Sequence, residues 1–181
     1  MRTTTKLGAI LTGSVLALAG ILPASTKTAG SAKPIEEQVR RELVTLPFYN
    51  VFDNLLFHVN GEEVTLSGQV TRPALKTSAE NVVRAIPGVR LVHNNIEVLP
   101  LSPFDDRLRL AVFRAIYSQP GLDRYALGAI PGIHIIVNRG SVTLEGVVAS
   151  EMDRNIANLR ANGVAGVFAV QNNLRLAERS R

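Results

Sequence analysis

The chain repeats itself. Val64-Thr65-Leu66-Ser67-Gly68 returns 78 positions later as Val142-Thr143-Leu144-Glu145-Gly146, Gly88-Val89 as Gly166-Val167, and Asn94-Asn95 as Asn172-Asn173. From residue 64 to 98, eleven of 35 positions match their counterparts without a gap; unrelated segments would share about two or three. Because a repeat dictates architecture before any local propensity does, the 181 residues must hold two copies of one module of about 70 residues each.

Hydrophobic period changes in the same order in each copy. In the first, Ile35, Val39, Leu43 and Leu46 stand at helical spacing and Pro47 opposes continuation, so a helix is expected over 35–46. Leu55–Val59 and Val64–Val70 are rich in strand formers, with Asn60-Gly61 between them as a hairpin signal. Leu75, Ala79, Val82, Val83 and Ile86 form the apolar face of a second helix entered through Pro73 and stopped by Pro87-Gly88, and Val89–Val98 is the last strand. The second copy gives a helix over Leu108–Tyr117, a hairpin of Ile133–Val137 and Val142–Val148 around Asn138-Arg139-Gly140, a helix over Ser150–Val164 and a strand over Val167–Leu176. Ser150 with Asp153 resembles a capping box. The stripe of that last helix reads Met152, Ile156 and Leu159, with Arg160 where the first copy has Val82, so the two helices are expected at different rotations.

The expected fold is therefore α+β, with two tandem α-β-β-α-β modules, each a three-stranded mixed sheet packed with two helices. The modules fall at 35–98 and 104–176, joined by the Pro-rich linker 99–103. The connection Gln119–Gly132 in the second copy is longer than its counterpart by about five residues, on the usual spread of loop lengths.

Residues 1–32 read as an export signal: Arg2 and Lys6 lead, Leu7–Leu22 is an uncharged apolar run, and small residues Gly30-Ser31-Ala32 offer a cleavage site. An uncleaved N-terminal anchor is the alternative. The product is then periplasmic or secreted. Arg2, Lys6 and Lys27 go with the leader, so the net charge of +5 falls to +2, from 17 basic and 15 acidic residues. Residues 33–100 carry −1 and residues 101–181 carry +3, which places any attraction to an anionic surface in the second half. Export and so small an excess argue against nucleic acid. The chain has no Cys, which excludes disulfides, thiolate metal sites and a lipidated N-terminal cysteine.

A module with V-T-L-x-G on its second strand, G-V between helix and strand, and N-N in the last strand resembles the BON domain, a family named for bacterial osmotic-stress and nodulation proteins. The resemblance spans 35–98 and 104–176. It implies an exported envelope protein, with binding to phospholipid or another envelope component and no catalytic activity. Most of the shared letters are structural. Gly68 and Gly146 permit close backbone approach or an unusual torsion, Gly88 and Gly166 end helices, and Asn94, Asn95, Asn172 and Asn173 belong to the motif.

Sites of chemistry are not evident. His58, His93 and His134 lie on separate predicted strands, the first two approaching only if those strands are neighbours, so no metal site is expected. No G-x-S-x-G surrounds Ser67, Ser141 or Ser150, while Glu62-Glu63 and Asp105-Asp106 read as decoration of a turn and a helix start. No enzyme activity and no cofactor are expected. Two apolar loops remain: Phe48, Tyr49, Phe52 and Leu55, and Leu122, Tyr125, Leu127 and Ile130. Either they cap sheet edges and fill the space between modules, or they insert into a bilayer or a partner. On the second reading Arg107, Arg109, Arg114 and Arg124, with Tyr125 and Leu127, would meet an anionic phospholipid surface; the alternative partner is an envelope protein or a second copy.

Overall fold

A computed structural model describes residues 34–128 and 131–177. The leader 1–32 and Ile130 lie outside the described residues. The first module runs α1 (Ile35–Val44), β1 (Asn54–Asn60), β2 (Glu63–Val70), α2 (Pro73–Arg84), β3 (Leu91–Asn94) and β4 (Glu97–Val98). The second runs α3 (Pro103–Tyr117), a 3-10 turn (Asp123–Ala126), β5 (Ile133–Asn138), β6 (Ser141–Val148), α4 (Glu151–Asn162), β7 (Ala169–Asn172) and β8 (Arg175–Leu176). Both modules thus realise the α-β-β-α-β order as an α+β fold.

In each sheet the central strand pairs antiparallel with its hairpin partner and parallel with the closing strand. β3 and β4 keep one register on β2, Glu63 opposite Leu91 and Val70 opposite Val98, so they are a single closing strand with an interruption. β7 and β8 repeat this on β6. The asparagine pair occupies the interruption. Asn94 Nδ2 donates to the Lys76 carbonyl and to Glu80 Oε2, both at 3.0 Å, while Asn94 Oδ1 accepts from the Ile96 N–H. Asn172 makes the equivalent bonds to the Arg154 carbonyl and the Leu174 N–H. The N–H of Asn95, and of Asn173, meets the carbonyl of Leu66, and of Leu144. The strand leaves its ladder for two residues, is stapled to the helix, and turns Ile96 or Leu174 into the core. Each buried polar group gains a partner there.

Gly68 and Gly146 sit at φ +106° and +127°, and a Cβ would stand 2.0 Å from the Asn54 carbonyl oxygen or 2.2 Å from that of Gly132. Gly88 and Gly166 also have positive φ, but in the turn four residues after the helix, against Ile35 and Phe104 respectively. They shape the helix-to-strand turn; Ala85 and Gly163 are the C-caps.

Three expectations are corrected. First, α3 begins five residues before Leu108, where the Ser102 hydroxyl accepts the Asp105 N–H and Pro103 opens the helix. Second, α2 and α4 share one rotation: Leu75, Ala79 and Val83 are buried on one, and Asp153, Ala157 and Ala161, each 78 positions on, are buried on the other. Met152 and Leu159 are 70% exposed, because small side chains let α4 lie close to its sheet and the larger ones point away. Third, the helices correspond at an offset of 69 (Val39 with Leu108, Leu43 with Val112) while the strands correspond at 78, so the connection after α3 is nine residues longer, not five.

The modules pack against each other. Val51 and Phe52, from the first module, join the core formed by Val112, Ile116, Ile133, Ile135 and Leu144 of the second. Phe52 meets Phe113 edge-on at 6.1 Å, and Tyr49 stacks on His134 at 5.8 Å. Asp53, fully buried, holds this loop in shape by accepting from the Thr71 N–H at 2.6 Å, the Thr71 hydroxyl at 2.8 Å and the Asn50 N–H at 3.2 Å.

The same loop closes an edge. β5 is the outer strand of the second sheet, and an unpaired edge invites association. Each of its outward-facing residues is engaged: the Tyr117 hydroxyl donates to the Ile133 carbonyl at 2.6 Å, the Ile135 N–H donates to the Val51 carbonyl at 2.8 Å, and Arg109 donates to the Val137 carbonyl at 2.7 Å. Burial pushes the Tyr117 hydroxyl pKa up, which keeps it a donor.

Candidate membrane-facing site

The arginines singled out from sequence do not form one patch. Arg109 is 5% exposed, paired with Asp106 and bound to β5, so it seals an edge and is closed to a headgroup. Arg124 and Tyr125 are drawn into a network at the start of α4. Arg124 donates to Asp153 Oδ2 at 2.6 Å and lies over the Tyr125 ring. The Tyr125 hydroxyl donates to Asp153 at 2.9 Å and accepts the Ala149 N–H at 2.7 Å. The Ser150 hydroxyl donates to the same carboxylate and caps α4 through the Asp153 N–H. Burial opposes ionisation of Asp153, but the hydrogen bonds from Ser150 and Tyr125 and the charge of Arg124 outweigh it and hold its pKa below the usual carboxylate range. This network clamps the long connection; Leu122 and Tyr125 belong to the core. Leu127 is exposed beside it.

Arg107 and Arg114 are exposed on α3, among the described residues without an ion-pair partner. Arg107 stands at the opposite end of the module from Arg124, because α3 starts at the β5–β6 turn whereas α4 starts where β6 ends. The eight residues of β6 separate the two ends by about 23 Å.

Arg107 has different company. Asp105, buried, accepts from the Arg139 N–H at 3.0 Å and the Gly140 N–H at 2.9 Å, fastening the start of α3 to the hairpin turn. Far from decorating a helix start, this carboxylate joins two elements. Arg139 and Gly140 both have positive φ, as a two-residue type I′ turn requires. Above them lie Phe104, 41% exposed, and Phe168, 78% exposed, with ring centroids 6.5 Å apart. Phe168 covers Gly140, where a Cβ would come 2.4 Å from the ring, and Phe104 rests on Gly166. Arg107 lines the same hollow as Phe104, exposed and, among the described residues, without an ion pair, whereas Arg139 lines the cleft on the open face of the sheet together with Glu97 and Glu145. Two exposed phenyl rings beside one unpaired guanidinium make an apolar tip with a cation at its edge. Sequence reading passed over Phe104 and Phe168; the available signal was that Phe168 replaces Arg90 at the corresponding position of the first copy.

The histidines come no closer to a metal site. His58 and His93 both lie opposite Thr65, on the two outer strands flanking β2, hence separated by about 9.5 Å. Among the described residues no cluster of three or more His, Asp or Glu is arranged to hold a metal ion, and no helix is long and apolar enough to cross a membrane.

These two modules are the modules of a known family. The BON domain model matches residues 31–100 and again residues 105–178, and the chain belongs to the BON-domain family, as a tandem member. Proteins of this family occur in the bacterial envelope, and BON domains bind phospholipid. No curated protein matches the sequence. Among solved structures, CdsD, a structural protein of the type III secretion system of Chlamydia trachomatis, is similar at 14% identity and TM-score 0.30, over 79% of this chain and 92% of that one. A second structure, the C-terminal domain of CdsD, gives 14% identity and TM-score 0.27 over 78% and 96%.

Proposed function

We propose that the protein is an exported, non-enzymatic envelope protein that attaches reversibly to anionic phospholipid through its second module, with residues 1–32 as the export signal. The observation that carries this reading is the tip of that module, where Phe104 and Phe168 stand exposed beside Arg107. Each arginine near an anionic surface contributes about 1 kcal/mol. A fully buried phenyl ring adds about 1.5–3 kcal/mol. Two rings and one arginine give measurable, salt-sensitive adhesion and not a permanent anchor. Arg114 and Leu127, also exposed, lie outside this tip and enter the reading only as peripheral contacts.

Flotation with vesicles tests it. The protein is expected to float with vesicles containing 30% phosphatidylglycerol at low salt, less at high salt, and not with pure phosphatidylcholine. Phe168→Arg should lower the partition coefficient about tenfold. Equal recovery in the soluble fraction with both vesicle types would refute the reading and favour an envelope-protein partner or self-association.

A further inference from the structure

The geometry points to a second binding site, for a neutral oligosaccharide, in the cleft between the first module and the open face of the second sheet. This inference does not rest on the lipid reading. The cleft has a volume of about 480 Å3, within the range of small-ligand sites. Its floor is the face of β5, β6 and β7 that α3 and α4 leave uncovered, and its far wall is Gln69, Glu97 and Leu99 of the first module. Gln69 and Glu97 lie on the open face of the first sheet, so the cleft forms where the two open faces approach each other.

The chemistry of the lining selects the ligand class. Asn138, Ser141, Thr143 and Gln171 present side chains that both donate and accept hydrogen bonds, as sugar hydroxyls do. Across the sheet, Gln171 donates to Asn173 and Asn173 to Glu145 at 2.6 Å, so this row is held in place before any ligand arrives. Glu97 and Glu145 face a single guanidinium, Arg139, which disfavours a phosphate or carboxylate.

The full chain is titrated with maltotetraose, which offers hydroxyls alone, and with the tetramer of N-acetylglucosamine, which adds acetamido groups, by calorimetry and by amide shift perturbation. Saturable binding of at least one of them in the millimolar range or tighter is expected, with perturbations confined to residues 136–145 and 169–173. Thr143→Val, which suits a strand and preserves the fold, should weaken it at least threefold, while vesicle flotation stays unchanged. Absence of saturable binding by either sugar at 10 mM, perturbations outside the cleft, or equal affinity in the Thr143→Val protein would overturn the proposal. Loss of flotation with sugar binding intact would count against the lipid reading alone.

Discussion

The two hairpin ends began as the same structure and now differ in what they offer to a surface. In the first module Arg90 pairs with Glu63 and with Glu62, and His93 lies 3.7 Å from Glu63. In the second, the positions 78 residues on are Phe168, Ser141, Gly140 and Gln171. The backbone is unchanged: the Arg90 N–H reaches the Glu62 carbonyl at 2.8 Å, and the Phe168 N–H reaches that of Gly140 at 2.9 Å. One tip is charged and bound up in its own ion pairs; the other is apolar, with the unpaired Arg107 at its edge. A duplicated scaffold has kept its main-chain bonds while the side chains at one tip differ from those at the other.

The largest test asks whether the copies are equally strict where they still agree. Gly68→Ala and Gly146→Ala should each cost more than about 3 kcal/mol in chemical denaturation, because each combines positive φ with a carbonyl at 2.0 or 2.2 Å. Similar losses in both would show a shared constraint. Next, Asp105→Ala should cost about 2–3 kcal/mol, since it strands the Arg139 and Gly140 amides. Glu36→Ala at the start of α1, an exposed residue, should change stability by about 0.5 kcal/mol or less. A smaller effect is expected from transplanting the tip. Arg90→Phe breaks the pairs with Glu62 and Glu63, and leaves those acids uncompensated, so the ring alone should raise vesicle partitioning about threefold or less; adding Glu62→Gly and Glu63→Ser should raise it further.

The smallest effect concerns pH at the module interface. Burial holds the His134 pKa below its ordinary value, against the opposing pull of the Asp53 and Asn50 carbonyls and of the Asp53 and Glu145 charges. The folded protein therefore binds fewer protons than the unfolded chain below about pH 6.5, so stability is full above that pH and declines as the solution is acidified. His134→Phe, which keeps a ring against Tyr49, should flatten melting temperature against pH between 7.5 and 5.5. An unchanged slope would remove His134 from the account.

What sequence alone conveyed follows physical lines. The hairpins, the glycines under a crossing carbonyl and the order of elements were legible because each depends on local pattern repeated twice. The burial of α4 was not, because its buried face is Ala157 and Ala161 and its large apolar residues Met152 and Leu159 point to water; an apolar period does not report which side is covered. Arg109 was misplaced for a related reason: a guanidinium spent on a strand carbonyl looks, in sequence, like one facing solvent. The apolar loops divided. Tyr49, Phe52, Leu122 and Tyr125 fill cores and interface, whereas Phe48 and Leu127 remain exposed. The tip escaped notice because Phe104 and Phe168 are 64 residues apart and meet only once the sheet forms.

Val51 and Phe52 carry a consequence for how such a protein is built and dissected. They are encoded in the first repeat yet complete the interior of the second, so a fragment cut at the prolines would hand one half an unfilled hole and an open strand, and leave the other with a greasy, unemployed loop. Duplication supplied two similar parts; the passage of those two side chains across the seam makes the second half depend on the first to fill its interior, while the first owes nothing to the second.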